Sequence, residues 1–361
     1  MFDVAVVGLG VLGSQVLLAL AREGVPCVGL EQTRLDSRHN ASNGGDSRIF
    51  RSRFPGQAPF ELDYSRDIWR ELSAEVRGPV FTETPILTVG HEGDERIDAF
   101  LQMARTSSRV DVLAREDAVD RWPDLSVTDG LTVISDTSGG VIRTPAAVTE
   151  AIRLAVVRGA VLAAETAVLS VAADNGRFRV DTTTGSVVTG AVIFCTGGAP
   201  AMTGARIPSD DALLEAVPRR VVLGWRHRPQ SDAPVKEQPT GMRYLDQGAA
   251  LSFFAPIDDW GHKFNYIARA RAQVDRSHSS FELDDILPLL EYSSELLGSF
   301  DSGLSRVESY REFYANSPIL RSIRPGIAAG YGFSGNGYRN APWYAQQLIQ
   351  LALPTVSFSH L

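Results

Sequence analysis

Phe2-Asp3-Val4-Ala5-Val6-Val7-Gly8-Leu9-Gly10-Val11-Leu12-Gly13, running through Ser14–Glu23 into Gly24-Val25-Pro26-Cys27-Val28-Gly29-Leu30-Glu31, is the stretch that decides the fold. Phe2–Val7 is a mostly apolar run of strand length, and Ser14–Glu23 carries a helical pattern. Gly24 closes that helix and Pro26 prevents its continuation. Val25–Leu30 reads as a second buried strand. Strand, helix and strand in this order form a βαβ unit with parallel strands and a right-handed crossover. At the first turn, Gly8 permits the tight bend, Gly10 lets backbone approach a pyrophosphate, and Gly13 allows helix and strand to pack closely. Val11 and Leu12 complete the turn, whose helix N-terminus offers N–H donors to a phosphate. Glu31 lies 18 residues past Gly13, close to the spacing of about 20 expected for an acid that bonds a ribose hydroxyl. These features predict dinucleotide binding, with FAD and NAD both possible; a merely structural turn is the plain alternative.

Outward from this unit, Gln32–Arg53 is polar and reads as a long functional loop. Helices are expected over Asp63–Leu72, Glu95–Arg105 and Ala146–Arg158, and a strand over Val80–Val89. Strands follow at Ala160–Ala173, Arg177–Thr182 and Ser186–Phe194, then at Arg219–Arg226, Ala250–Phe254 and Lys263–Ala268 in a more mixed region. The chain ends with a strand, a glycine-rich loop (Gly330–Gly337) and a helix (Ala341–Leu353). The run Val192–Cys195 stops at Thr196-Gly197-Gly198, a junction that recurs where a chain returns to an FAD domain; an ordinary strand and turn would read the same way. The fold class expected is α/β, a Rossmann-like FAD-binding domain interleaved with a second, mixed-sheet α+β substrate domain. The FAD-binding domain takes residues 1–75, 140–215 and 322–361, and the substrate domain 76–139 and 216–321.

Length supports that division, since 361 residues make about two domains at roughly 150 each. With 35 basic and 43 acidic residues the net charge is −8, which repels phosphate backbones and argues against a nucleic-acid partner. No apolar run reaches the ~18 residues of a membrane span, and no basic segment precedes the first strand, so neither membrane anchoring nor a signal peptide is expected. Cys27 and Cys195 are the two cysteines, which excludes a disulfide framework and suits a reduced cytoplasm. The six histidines show no metal-ligand spacing, so no metal is expected. Of the basic residues only Lys236 and Lys263 are lysines, against 33 arginines. Nucleotide bias in a bacterial genome explains the arginines, and each lysine then raises the question of a titratable, point-like ammonium.

Asn43-Gly44-Gly45-Asp46-Ser47-Arg48-Ile49-Phe50-Arg51 resembles the loop after the second strand in the D-amino-acid-oxidase-like FAD family, in its monomeric sarcosine oxidase and N-methyltryptophan oxidase branch. Gly332-Phe333-Ser334-Gly335-Asn336-Gly337-Tyr338-Arg339 resembles the same family's C-terminal flavin-contacting loop. Arg121-Trp122-Pro123 and Ser138-Gly139-Gly140-Val141 fall where that family has short signatures, so the likeness spans essentially the whole chain. It implies FAD as cofactor, a small amine substrate and oxygen as partners, and a monomer or small homo-oligomer. The reaction implied removes hydride from the carbon beside the amine, giving an imine that water hydrolyses, while oxygen becomes hydrogen peroxide. The cofactor carries the redox step and the protein positions and tunes. A dehydrogenase with the same flavin and another electron acceptor is the alternative.

The same likeness distributes roles. Cofactor contacts fall on Gly8, Gly10, Val11, Leu12, Gly13, Glu31, Gly44, Ser47, Arg48, Val168, Thr196, Gly197, Gly198, Gly335, Asn336, Gly337, Tyr338 and Arg339. Arg48 and Arg51 match arginines along the flavin and pocket, where positive charge would stabilise reduced flavin; in so arginine-rich a chain they could equally be solvated loop residues. Lys263 matches the lysine that activates oxygen, its charge attracting the negative charge that develops there; a lysine blunting a sheet edge is the plain alternative. Arg339 stands where the family has a lysine that binds the substrate carboxylate, a task arginine can perform bidentately. Met242, Leu251 and Arg311 fall at the remaining substrate-pocket positions.

Departures are equally informative. The branch's flavin-tethering cysteine has no counterpart in Val307-Glu308-Ser309-Tyr310-Arg311, so non-covalent FAD is expected. An aromatic pocket residue is missing near Ala250–Leu251, Arg311 or Tyr310 replaces another, and Asn336 replaces a histidine. The pocket is therefore altered while the flavin cradle stays recognisable, which points away from sarcosine itself. Ser359-His360-Leu361 resembles a peroxisomal address but also suits the family's ordinary tail.

Overall fold

In the computed structural model the described residues are 2–35, 41–198, 206, 216–227, 238–257, 260–268, 281–298, 300 and 303–353; Lys236 and the Ser359-His360-Leu361 tail lie outside them. The chain opens with β1 (Phe2–Val7), α1 (Val11–Arg22) and β2 (Cys27–Leu30), the expected βαβ unit. Then come β3 (Ser47–Phe50), α2 (Pro59–Glu75), β4 (Phe81–Glu83), β5 (Ile86–His91), α3 (Glu95–Ala104), β6 (Val110–Leu113), α4 (Arg115–Arg121), β7 (Leu131–Asp136) and β8 (Gly140–Arg143). Helix α5 (Thr144–Val157) leads to β9 (Val161–Ala163), β10 (Val168–Asp174), β11 (Arg177–Thr182) and β12 (Gly185–Gly197). The last part holds β13 (Val217–Arg226), β14 (Thr240–Tyr244), β15 (Ala250–Phe254), β16 (His262–Ile267), α6 (Leu283–Leu297), β17 (Arg306–Arg324), β18 (Ile327–Phe333) and α7 (Gly337–Ala352).

Strands β9, β2, β1, β12 and β18 lie side by side and all parallel. Parallel strands need both faces covered, and their sequences are near-continuous apolar runs for that reason. Helices α1, α5 and α7 cover one face with Leu17, Leu18, Leu20, Ala151, Leu348 and Ile349. Each fully buried leucine of this kind stabilises by about 1.5–3 kcal/mol. The β10–β11 hairpin covers the other face through Val171, Phe178 and Val180.

The remaining strands form a mostly antiparallel extension in the order β6-β7-β5-β14-β15-β16-β13-β17. Helices α4 and α6 pack on one face of it through Ala118, Leu289, Leu296 and Leu297. Strand β17 joins the two regions: it pairs with β13 over Val217↔Tyr314 to Trp225↔Arg306, then with β18 from Tyr314↔Phe333 onward. The register shifts between Tyr314 and Ile319, so the strand turns from one sheet direction to the other there. The division expected at 321/322 falls inside β17. A small sheet of β3, β8 and β4 stands apart.

Several expected elements differ in extent. The single strand expected over Val80–Val89 is two, because Pro85 has no N–H to donate and β4 and β5 join different sheets. The one expected over Ala160–Ala173 is interrupted at Glu165, whose φ is +53°. The polar loop contains β3, whose Ser47–Phe50 register with β8 holds the loop in place. Helix α7 begins at Gly337 rather than Ala341 and tolerates Pro342 inside it.

Candidate active site

At the β1–α1 turn, Gly8 has φ +87°, and a Cβ there would stand 2.8 Å from the Cys195 carbonyl oxygen. A Cβ on Gly13 would lie 1.8 Å from the Gly8 carbonyl oxygen and 3.2 Å from the Cys195 Cβ. Gly10 is the N-cap of α1, with no side-chain cap on the first turn. Its own missing Cβ would face only the Asn43 amide, at 3.7 Å. The first-turn N–H groups therefore open onto a cleft, with the helix dipole adding positive character. Glu31 is fixed at its rim: Leu9 N–H donates to Oε2 at 2.8 Å, and the Thr33 hydroxyl donates to Oε1 at 2.9 Å.

That cleft encloses about 1360 Å³, part of it open to solvent, and runs from Glu31 past Gly8 and Gly10 to Arg48, Glu312 and Tyr338. Val11, Leu12, Val168, Thr196, Gly197, Gly335 and Gly337 also line it. Gly13 sits behind the turn, and Gly198 follows the junction, its carbonyl accepting from the Thr196 hydroxyl at 2.8 Å. An open pyrophosphate cradle, a fixed ribose-facing acid and a continuation beyond the phosphates fit FAD. Overpacking a site this tight costs about 1–3 kcal/mol, so Gly13→Ala should lower Tm and the flavin-to-protein absorbance ratio together. Full flavin retention in that variant would remove the cradle from cofactor binding.

Beyond the cradle, the 41–48 segment gathers cations. Arg48 donates to the carbonyls of Ser47 and Ser42, both at 2.8 Å, and stacks on Tyr310 at 4.4 Å and Tyr338 at 5.3 Å. Burial works against its charge, but Tyr310, Glu312 and Tyr338 outweigh it and leave its pKa raised. Tyr338 in turn donates to Asn43 Oδ1 at 2.9 Å. Gly44 is crowded by Tyr310, whose Cβ would stand 2.9 Å from a side chain there.

Lys263 is 3% exposed. Its Nζ donates to the Gly45 carbonyl at 2.9 Å and to the Ser47 carbonyl and hydroxyl, both at 2.6 Å. It also lies 3.7 Å from the centre of the Phe254 ring. Its three protons are thus committed, and what it offers its surroundings is a fixed positive charge. A sheet-edge lysine is excluded: β16 is paired on both sides, by β13 and β15.

Arg51 and Arg339 form a second buried pair. Arg51 donates to the Thr88 hydroxyl at 2.8 Å and leaves Nη2 without a partner. Arg339 donates to Asn336 Oδ1 at 2.8 Å, stacks on Phe54 at 4.0 Å and leaves Nε without a partner. Neither is ion-paired to a carboxylate among the described residues. Burial pushes Arg339 down to about 10, and the Arg51 charge adds to the shift. Burial lowers Arg51 as well, against the influence of Tyr244 and Asp136. Two like charges with orphaned donors are chemically able to hold an anion.

Of the other expected pocket residues, Leu251 lies in the core. Leu251 packs under α6 with Phe253 and Leu289, so it faces away from Phe254 and Lys263. Met242, half-buried on β14, pairs in register with Thr88 and Ser252. Arg311 meets the 41–43 turn through its backbone, its carbonyl accepting from Ser42 Oγ at 3.4 Å. Reading the sequence missed the triplet Tyr310-x-Glu312-x-Tyr314. Both phenols donate to the Glu312 carboxylate, at 3.1 and 3.0 Å. Alternation of Tyr, Glu and Tyr in a long strand was the signal available for it.

Burial pushes the Cys27 thiol up to about 11 and raises that of Cys195 too, so neither is a ready nucleophile. Among the described residues no group of three or more His, Cys, Asp or Glu could hold a metal, and no helix is long and apolar enough to cross a membrane.

Residues 3–351 match the family model of the DAO FAD dependent oxidoreductases. The chain is 26% identical to monomeric sarcosine oxidase of Bacillus sp. (strain B-0618), covering 98% of this chain and 92% of that one. It is 23% identical to N-methyl-L-tryptophan oxidase of Salmonella heidelberg (strain SL476), covering 98% and 95%. Among solved structures, L-proline dehydrogenase from P. horikoshii superposes with a TM-score of 0.82 at 18% identity, over 99% of this chain and 94% of that one. At that identity the likeness is one of fold.

Proposed function

The chain belongs to the DAO family of FAD dependent oxidoreductases, and from that premise we propose that it oxidises the carbon–nitrogen bond of a small amino acid or secondary amine and passes the electrons to oxygen. It is an FAD-dependent enzyme of the amino acid oxidase type. The observation that carries the finer reading is the buried Arg51–Arg339 pair, with an orphaned nitrogen on each residue and no acid ion-paired with either among the described residues. A carboxylate-bearing substrate supplies the missing charge.

FAD, when bound, supplies the acceptor for the hydride that leaves the substrate carbon. The chain's own part is binding and electrostatics. Arg51 and Arg339 grip the carboxylate and so orient the reacting carbon. Phe54 and Phe100 shield the two guanidiniums, at 4.0 and 5.2 Å, and a site kept dry strengthens each charge interaction. Arg48, Arg51 and Lys263 provide positive charge where negative charge grows. The imine product is hydrolysed by water. In the proposed division residues 1–75, 140–215 and 322–361 form the cofactor domain and 76–139 and 216–321 the substrate domain, with Arg51 and Arg339 reaching the substrate from the cofactor domain.

The experiment is an anaerobic screen of amines for flavin bleaching, repeated in air with a peroxide readout. Bleaching by carboxylate-bearing amines with peroxide in air supports the oxidase. Bleaching followed by slow reaction with oxygen points to a dehydrogenase with another acceptor, and no bleaching by any amine overturns the substrate class. FAD binding without a covalent tether has its own test, since both thiols are buried and unreactive. Acid precipitation should release all the flavin to the supernatant, whereas a yellow pellet would show a tether.

A further inference from the structure

Asp136 closes β7 and is 4% exposed. Ser52 donates its N–H to Oδ2 at 2.5 Å and its hydroxyl to Oδ1 at 2.6 Å. Arg53 N–H donates to Oδ2 at 3.3 Å and Ser138 N–H to Oδ1 at 3.1 Å. A carboxylate has about four acceptor positions and no donor, so four incoming donors suit an acid and would only half suit an amide. Two of those donors belong to Ser52, the residue after Arg51. The strand register brings the carboxylate to Arg51 a second time. Thr88 stands opposite Ile134, and Ile86 opposite Asp136. Thr88 and Asp136 are therefore diagonal neighbours on one face of the sheet, about 7–8 Å apart. Arg51 reaches that face, donating to the Thr88 hydroxyl at 2.8 Å, and the Asp136 charge acts on it there. Arg53 does not neutralise Asp136, because its guanidinium is spent on Asp63 at 3.0 and 3.1 Å. Among the described residues no other acid acts on Arg51 and none acts on Arg339. The buried pair of cations thus comes with one resident acid, which leaves one positive charge over.

We propose that Asp136 is the resident counter-ion of the Arg51–Arg339 pair and thereby limits the substrate to a single carboxylate. This rests on the two arginines as the carboxylate grip. Two cations, one fixed acid and one visiting carboxylate balance. Charge left unbalanced in a buried site is costly, and a second carboxylate on the substrate would leave negative charge in excess beside Asp136. The class taken is then the monocarboxylic amino acid, with dicarboxylic ones refused by charge rather than by size. Asp136 is a specificity-determining residue that works through the charge of Arg51. Its hydrogen bonds to Ser52 and Arg53 keep that charge close to the arginine while substrates come and go.

The test uses holoenzyme, Asp136→Asn and Asp136→Glu, with flavin content and Tm of the variants measured first. Butanamide, butanoate and succinate share a four-carbon chain, hold no amine to be oxidised, and carry no charge, one and two negative charges at about pH 8. Their Kd values are read from flavin absorbance changes. Wild type should bind butanoate about tenfold more tightly than either butanamide or succinate. Asp136→Asn, which keeps the size and removes the charge, should bind butanoate and succinate within about twofold of each other and still prefer butanoate to butanamide. Asp136→Glu keeps the charge and should keep the wild-type order. A purely structural role for Asp136 would weaken all three ligands alike and leave their ratios unchanged. The wild-type comparison needs no variant: succinate bound as tightly as butanoate overturns the charge limit and leaves the grip standing. A preference for butanoate over succinate that survives in Asp136→Asn, or is lost in Asp136→Glu, overturns the role of Asp136 in the same way. If wild type binds butanoate no better than butanamide, the grip itself fails and this inference with it.

Discussion

Replacing Lys263 with methionine should slow reoxidation of the reduced enzyme by oxygen about a hundredfold, or ~2.7 kcal/mol, and leave anaerobic reduction by substrate within about twofold. The reason lies in how the ammonium is held. Gly45, Ser47 and the Phe254 ring fix it from three directions, so it brings no reorganisation cost when negative charge arrives nearby. In a medium of intermediate dielectric a charge pair about 4 Å apart is worth roughly 4 kcal/mol, against about 1 in water. Methionine matches the length of the lysine and removes the charge. It also removes one donor from the Gly45 and Ser47 carbonyls and the Ser47 hydroxyl, so the flavin content and Tm of the variant are measured first. Lys263→Arg, which restores charge with a different shape, should recover part of the oxygen rate. Oxygen kinetics unchanged in Lys263→Met would take this residue out of the oxidative half-reaction.

That lysine shows how far a sequence reading reaches. Its rarity in an arginine-rich chain singled it out, and it lies buried on a strand paired on both sides. The βαβ unit was equally legible, because glycine spacing and apolar runs are local properties and parallel pairing follows from them. Strand β17 was not. Its nineteen residues mix half-buried, buried and exposed positions because its partner changes from β13 to β18 along the way, so no single period describes it. Glu312 was invisible for the same reason: its meaning depends on Tyr310, Tyr314, Arg48 and Gly335, which three separate segments bring together. Leu251 failed in the opposite way. Its position by family likeness is in the pocket, but alternation along β15 turns it toward α6, and one residue of register decides between core and site.

Arg339→Leu should weaken binding of carboxylate-bearing substrates by about a hundred- to a thousandfold, or about 2.7–4 kcal/mol at 1.4 kcal/mol per tenfold, and that of matched neutral amines by no more than about threefold. The size follows from desolvation: an ion pair whose partners are both buried and hydrogen-bonded typically costs 2–5 kcal/mol to break by truncation. Here the guanidinium is 8% exposed. Its behaviour without ligand is the stronger discriminator. In the free enzyme Arg339 is held down to about 10 by burial and by the neighbouring Arg51 charge, below its ordinary value. A cation whose folded pKa is depressed opposes folding at every pH where it is charged, and the penalty is relieved as pH rises through that value. Leucine removes the penalty, so Tm should not fall along with affinity. Wild type carboxylate binding should hold up to about pH 10 and decline above it as the guanidinium loses its proton, whereas the residual binding of Arg339→Leu should lack that decline. Equal losses for carboxylates and neutral amines would contradict a carboxylate grip. So would carboxylate affinity that stays within about threefold of wild type in Arg339→Leu.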